Sequence, residues 1–221
     1  MIAARPATSL LGLLLRLADR EETALQAGPA TLAPPTRADF PAWLDATRSS
    51  EASLRRWQPA WSDDYLTEAA YRRRLALFDA ERAGGQGFAF HLWREGRLDG
   101  AIRLSPVHGG ARSAGRLGYW VADRAAGQGL ATEAVHAVCG FAFERLRLAR
   151  VEAAFVPENA ASARVLAKAG FVREGLARSY VEVCGVRRDH VLTARLNPDL
   201  DPASQRDPKA TGEAPSPPDA L

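Results

Sequence analysis

Gly127-Gln128-Gly129-Leu130-Ala131-Thr132 is the stretch of this 221-residue chain with the plainest chemistry. It follows an apolar run, Leu117 to Val121, that reads as a strand, and it opens an apolar-periodic segment, Leu130 to Leu146, that reads as a helix. Strand, glycine turn and helix start together make an anion site, because free backbone N–H groups and the positive end of the helix dipole point above the turn. Glycine lets the chain turn sharply and lets a phosphate approach without a Cβ in the way. The turn has two of the three glycines of a dinucleotide fingerprint, but the chain lacks the repeated βαβ units such a site needs. No Gly-Lys-Ser/Thr follows, which excludes a Walker loop. A second chemical stretch is Asn159-Ala160-Ala161-Ser162, ahead of Lys168-Ala169-Gly170-Phe171 and Glu174-Gly175. Asn159 is a fitting helix N-cap.

The elements that must position these residues can be read along the chain. Thr36-Arg37-Ala38-Asp39 is an N-cap pattern with Phe40, Trp43 and Leu44 following at helical spacing. A second helix is predicted from Thr67 to Arg82, with Ala70, Leu75 and Phe78 facing inward. Phe88 to Trp93 and Leu98 to Leu104 read as strands joined at Arg94-Glu95-Gly96-Arg97. After the long helix come a strand at Val151–Val156, a helix at Asn159–Ala169, and strands over Phe171–Val183 and Val186–Leu196. This order predicts an α/β (α+β) fold with a central, mostly antiparallel mixed sheet flanked by helices. Three regions are expected: an N-terminal extension over 1–28, one domain over 29–197, and a disordered Pro-rich tail over 198–221.

Composition narrows the classes. A hydrophobic share of 47% suits a globular core, and a net charge of +3 gives no reason to expect DNA binding. The two cysteines, Cys139 and Cys184, are too few for a metal knuckle or a disulfide framework, and both are expected to be free and buried. No metal is expected. The run Leu10 to Leu15 is closed by Arg16 and Asp19-Arg20-Glu21-Glu22, so an amphipathic lead-in or a misplaced start is expected rather than export. No segment approaches the roughly 20 apolar residues of a membrane span. A cytoplasmic protein is expected.

The two chemical stretches together resemble the acetyl-CoA-dependent N-acetyltransferases of the GNAT superfamily, over about Leu32 to Leu196. Trp57-Gln58-Pro59-Ala60-Trp61, Leu117-Gly118-Tyr119 and Arg187-Arg188-Asp189-His190-Val191-Leu192-Thr193-Ala194 are similar to the RimJ/RimL branch, which acetylates N-terminal amines of ribosomal proteins. The resemblance implies the GNAT fold and a cofactor site of Val121, Gly127, Gln128, Gly129, Leu130, Ala131, Thr132 and Asn159. It implies that a backbone N–H near Val121 meets the oxyanion and that Ser162 assists the leaving thiol. Two positions depart from the superfamily pattern: Ala126 stands where Gln or Arg is common, and Leu166 where many members carry a tyrosine acid. Phosphate binding then leans on the backbone amides of Gly127 to Ala131.

The implied acceptor is the N-terminal α-amine of a protein, a ribosomal protein beginning with Ala. A small-molecule amine, or a CoA-binding ribosome assembly role without turnover, are the alternatives. At pH 7 neutralising an α-amine of pKa about 8 costs roughly 1.4 kcal/mol, against roughly 4.6 kcal/mol for a lysine. A weak base therefore suffices, which suits a chain in which no carboxylate stands out. Trp57 and Tyr180 are candidate acceptor-binding residues, and Asp189 and His190 are expected to support that site. Glu133 is read as favouring the helix dipole. Arg55-Arg56 and Arg72-Arg73-Arg74 are expected to be solvated helix faces, with ribosome contact the alternative.

Overall fold

Residues 24–200 are described by the computed structural model. The lead-in before them and the tail after them lie outside the described residues. The chain runs β1 (Leu25–Ala27), β2 (Ala30–Ala33), α1 (Phe40–Ser49), α2 (Glu51–Arg55), α3 (Glu68–Ala83), β3 (Phe88–Arg94), β4 (Arg97–His108) and β5 (Ala114–Val121). Then follow α4 (Leu130–Gly140), β6 (Arg150–Phe155), α5 (Ala160–Lys168), β7 (Val172–Val183) and β8 (Val186–Leu196). The eight strands form one sheet in the order β1-β2-β3-β4-β5-β6-β8-β7. Every pairing is antiparallel except β5 with β6.

Local chemistry sets the helix starts. Thr36 donates its backbone N–H to Asp39 Oδ2 at 2.8 Å, so the capping pattern read from the sequence opens α1 through a short 3-10 turn. Thr67 accepts from Ala70 N at 3.2 Å and caps α3. The segment expected as one helix to Leu146 is α-helical only to Gly140 and continues as a π turn over Phe141–Arg145. Phe141, Ala142 and Phe143 of that turn are all buried.

Apolar clusters cover both faces of the sheet. On one side Leu32, Phe88, Phe90, Ile102, Leu104 and Leu117 pack against Leu130, Val135 and Val138 of α4 and Leu166 of α5. Phe141 meets Phe88 and Phe90 edge-on at 5.0 and 5.9 Å. On the other, Trp43 of α1 and Tyr71 and Leu75 of α3 cover Leu98.

Two expectations are corrected. The sheet begins before Gly28, because Leu25–Ala27 pairs with Ala30–Ala33 as the outermost hairpin. Cys139 is buried, but Cys184 is exposed at the turn between β7 and β8.

Candidate functional site

The parallel pair β5 and β6 is in register only from Ala114↔Arg150 to Leu117↔Ala153. Beyond it the strands part, and Gly118 to Val121 and Ala154 to Val156 become the walls of a cavity of about 610 Å³. Such a crevice at the carboxyl ends of parallel strands is where open α/β sheets bind ligands. On the β4 side, Ala122 N donates to Asp99 O at 2.8 Å, which makes Gly100 and Val121 the next, non-hydrogen-bonded pair. Backbone groups alternate between the edges of a strand, so the N–H groups of Tyr119 and Val121 point into the split.

The floor of the cleft is the glycine turn. Gly127 and Gly129 have φ of +75° and +82°, and a Cβ on either would meet no atom within 4 Å. The left-handed backbone calls for glycine, and the open space above it leaves the turn accessible. Gly129 N-caps α4 without any side-chain capping bond, and the first intrahelical bond is Glu133 N to Gly129 O at 3.1 Å. The amides of Leu130, Ala131 and Thr132 are thus first-turn donors without intrahelical acceptors, at the positive end of the helix. Arg164 and Lys168 of α5 stand on the rim of the same cleft.

Across the split, Asn159 Oδ1 accepts the Ser162 N–H at 3.0 Å and caps α5. Ser162 Oγ lies 3.0 Å from Tyr119 Oη. Tyr119 reaches it because residues 117, 119 and 121 of β5 share the α4/α5 face. Burial pushes the Tyr119 phenol up to about 12, although its bond to Ser162 works the other way. It remains a protonated hydrogen-bond donor at any physiological pH.

The wall opposite the glycine turn is built from α2 and the β7–β8 hairpin. Cys184 N donates to Gln58 O at 3.2 Å, and its thiol to Arg55 O at 2.5 Å, so the hairpin tip is tied to the segment after α2. Trp57, half-buried beneath Arg56 at 4.7 Å, lines the cleft with Gln58, Ser53 and His190. Trp61 lies outside it, stacked on Tyr65 at 4.3 Å.

Of the residues singled out from sequence, Trp57, Val121, Gly127, Gly129, Leu130, Ala131, Thr132, Asn159 and Ser162 line this one cleft. Gln128 differs. Its side chain turns away from the cleft, accepting from Arg94 Nη1 and donating to Arg124 O at 3.1 Å. Tyr180 does not line the cleft either; its ring packs behind His190 at 5.6 Å, under Arg116. Sequence reading missed Tyr119 as the partner of Ser162; of Asp189 and His190, singled out together, only His190 lines the cleft. Strand alternation from Leu117 could have marked Tyr119, but nothing local signals the contact across 43 residues. Among the described residues no helix is long and apolar enough to cross a membrane, and no group of His, Cys, Asp and Glu could hold a metal.

The comparisons bear on this geometry directly. The family model described as Acetyltransferase (GNAT) domain matches residues 30–172. The chain belongs to the GNAT acetyltransferase family. It is an N-acetyltransferase with the GNAT fold, and it is similar over most of its length to named relatives. One, called "Probable N-acetyltransferase YjcK" in Bacillus subtilis (strain 168), is 38% identical over 140 residues, 62% of this chain and 77% of that one. The ribosomal protein uS5-alanine N-acetyltransferase of Escherichia coli (strain K12) is 31% identical over 168 residues, 74% of this chain and 87% of that one. Among solved structures, Mycobacterium smegmatis RimJ in complex with CoA-disulfide has a TM-score of 0.75 and 32% identity, over 83% of this chain and 90% of that one.

Proposed function

We propose that this enzyme transfers acetyl from acetyl-CoA to the N-terminal α-amine of a protein, a ribosomal protein beginning with Ala. A cytoplasmic setting and contact with the ribosome belong to that same reading. The observation that carries it is the single cleft that joins an uncapped helix N-terminus to the Ser162–Tyr119 hydroxyl pair. The relative named as a ribosomal protein uS5-alanine N-acetyltransferase supports the acceptor class.

The residues fit acetyl-CoA on the chemistry of the donor set. Gly127 to Thr132 offer backbone amides in a turn where a Cβ would be strained, as a pyrophosphate requires. The loss of a Gln or Arg side chain at Ala126 leaves that work to the amides. Arg164 and Lys168 add cationic side chains on the rim. Asn159 holds the start of α5 facing the split and would serve the cofactor while capping the helix. The cosubstrate supplies the thioester that the amine attacks.

The chain's own groups then divide the work. The Val121 N–H, aimed into the split, would meet the oxyanion, and donors fixed in advance are the larger part of such stabilisation. Ser162 would donate toward the leaving sulfur while Tyr119 donates to Ser162 Oγ. A thiol of pKa about 8.5 leaves with modest help, so a hydroxyl pair is adequate.

The test is release of free thiol from acetyl-CoA on a panel of acceptors. The panel holds peptides beginning Ala, Ser or Met, a lysine peptide with a blocked N-terminus, and small amines. Turnover confined to free N-terminal peptides, with Ala preferred, supports the reading. Preference for small amines sinks it, and binding of CoA without any turnover would favour an assembly role.

A further inference from the structure

We propose that His190 is the proton acceptor for the acceptor amine, an inference that rests on the α-amine reading above. Four observations meet at this side chain. It lines the cleft while only 7% exposed, so its ring is a polar group held in the wall rather than a surface residue. Its Nδ1 lies 3.1 Å from the Arg188 carbonyl oxygen. A carbonyl can only accept, so Nδ1 carries the hydrogen, and in the neutral imidazole Nε2 is then the bare acceptor. Nε2 makes no hydrogen bond to any described residue. The ring is fixed from behind by Tyr180 at 5.6 Å, on the β7 segment whose Ala177 pairs with His190.

The charged groups around it are otherwise engaged. Asp189 Oδ1 accepts from Ser179 N at 2.8 Å, across the hairpin. Glu158 is paired to Arg188 at 2.8 Å, and Arg116 of β5 lies over the Tyr180 ring at 5.6 Å. Arg187 reaches the Ser179 carbonyl at 3.5 Å. The other proton acceptor in the cleft wall is Asp123, whose Oδ2 takes the Ser53 hydroxyl at 2.8 Å. It belongs to the 3-10 turn between β5 and the glycine turn, the side given above to the phosphates. His190 belongs to the acceptor wall with Trp57 and Gln58. Position thus favours His190 over Asp123.

The step balances as follows. One hydrogen of the α-ammonium passes to Nε2, directly or through one water, and then to solvent. The amine nitrogen forms the C–N bond, and the C–S bond breaks. A second nitrogen hydrogen ends on the CoA sulfur, through Ser162, and the third stays on the amide.

Two measurements test this. The first is the imidazole tautomer of His190 in the free enzyme, read from histidine side-chain ¹⁵N NMR and assigned with His190→Gln. An Nδ1–H, Nε2-bare ring is expected, and an Nε2–H ring overturns the proposal. The second compares the pH profile of kcat/KM, on an Ala-initial peptide the wild type turns over, for wild type, His190→Asn and His190→Gln. Asn keeps a donor for the Arg188 carbonyl but removes the acceptor. Both variants should lose about 10- to 100-fold at pH 7, and most of that gap should close by pH 9, where an α-amine of pKa about 8 is largely neutral. CoA affinity by calorimetry should be unchanged. Variants that match wild type at every pH, or a pH-dependent loss found in Asp123→Asn instead, would overturn the role of His190 while leaving the α-amine reading intact. Failure of the wild type on every N-terminal peptide would instead remove that reading.

Discussion

The 3.0 Å contact between Ser162 and Tyr119 brings a tyrosine hydroxyl to α5 from the neighbouring strand. The helix itself carries Leu166 at the position where many relatives of the superfamily have their tyrosine, and Leu166 is buried in the core. Ser162→Ala should therefore lower kcat, by up to about 10²-fold, with the acetyl-CoA KM little changed. Tyr119→Phe should lower kcat less, because Ser162 retains its own proton. In the double variant the losses should fall short of their product, as expected for groups acting as one unit. A steady-state cycle of the four proteins checks this, and fully independent effects would contradict the pairing. That Ser162 stands at this cleft was legible from its motif. Its contact with Tyr119 was not, because a contact between β5 and α5 depends on how far β5 and β6 diverge.

At the scale of elements, the glycine turn is tied down by a buried carboxylate. Asp99, fully buried, takes Arg94 Nε at 2.9 Å and Arg124 Nε at 3.2 Å, and Arg97 approaches at 3.3 Å. Gln128 bridges Arg94 to the Arg124 carbonyl, so its side chain braces the turn from below. Asp99→Asn should cost about 3–5 kcal/mol, since it leaves part-buried guanidinium groups without their anion. Thermal denaturation would show it as a lowered Tm, and a raised KM for acetyl-CoA should accompany it. Asn159→Ala removes the cap of α5 and should cost about 1 kcal/mol. An unchanged Tm would mean that α5 is held by packing alone.

The strongly patterned elements were readable: α3 with its Thr67 cap, β3, and the β7–β8 hairpin fall where periodicity put them. The missed ones are short. Glu51–Arg55 spans too little for a helical period to emerge, and Leu25–Ala27 and Ala30–Ala33 are strands only because the sheet accepts them. The end of α4 at Gly140 has no local signal, because Phe141 and Phe143 continue the apolar pattern of the helix.

For the whole molecule, pH should act on stability at both extremes. Burial raises the Asp39 carboxyl, but bonds from His91 and Thr36 outweigh this and hold it below the usual carboxylate range. That stabilisation is present above the ordinary carboxylate value of about 3.9 and is lost as pH falls below it. Burial raises Tyr119 to about 12 and raises Tyr71 as well. Their contribution is complete below the ordinary phenol value of about 10 and disappears as pH rises toward 12. A plateau of Tm between these limits, falling on both sides, is expected from scanning calorimetry. Tyr119→Phe should soften the alkaline fall.

The cleft itself is a property of the whole chain. It exists because β5 and β6 part after Leu117 and Ala153, and because the β7–β8 tip is tied to the segment after α2. Which motifs face it could be read in the sequence; that Tyr119 would meet Ser162 across it could not. The most direct measurement is the position of the acetyl group on one peptide that offers both a free N-terminal Ala and an internal Lys, read by fragment mass spectrometry after turnover at pH 7. Acetyl on the α-amine, with the lysine unmodified, is the predicted result. Acetyl on the lysine ε-amine would contradict it.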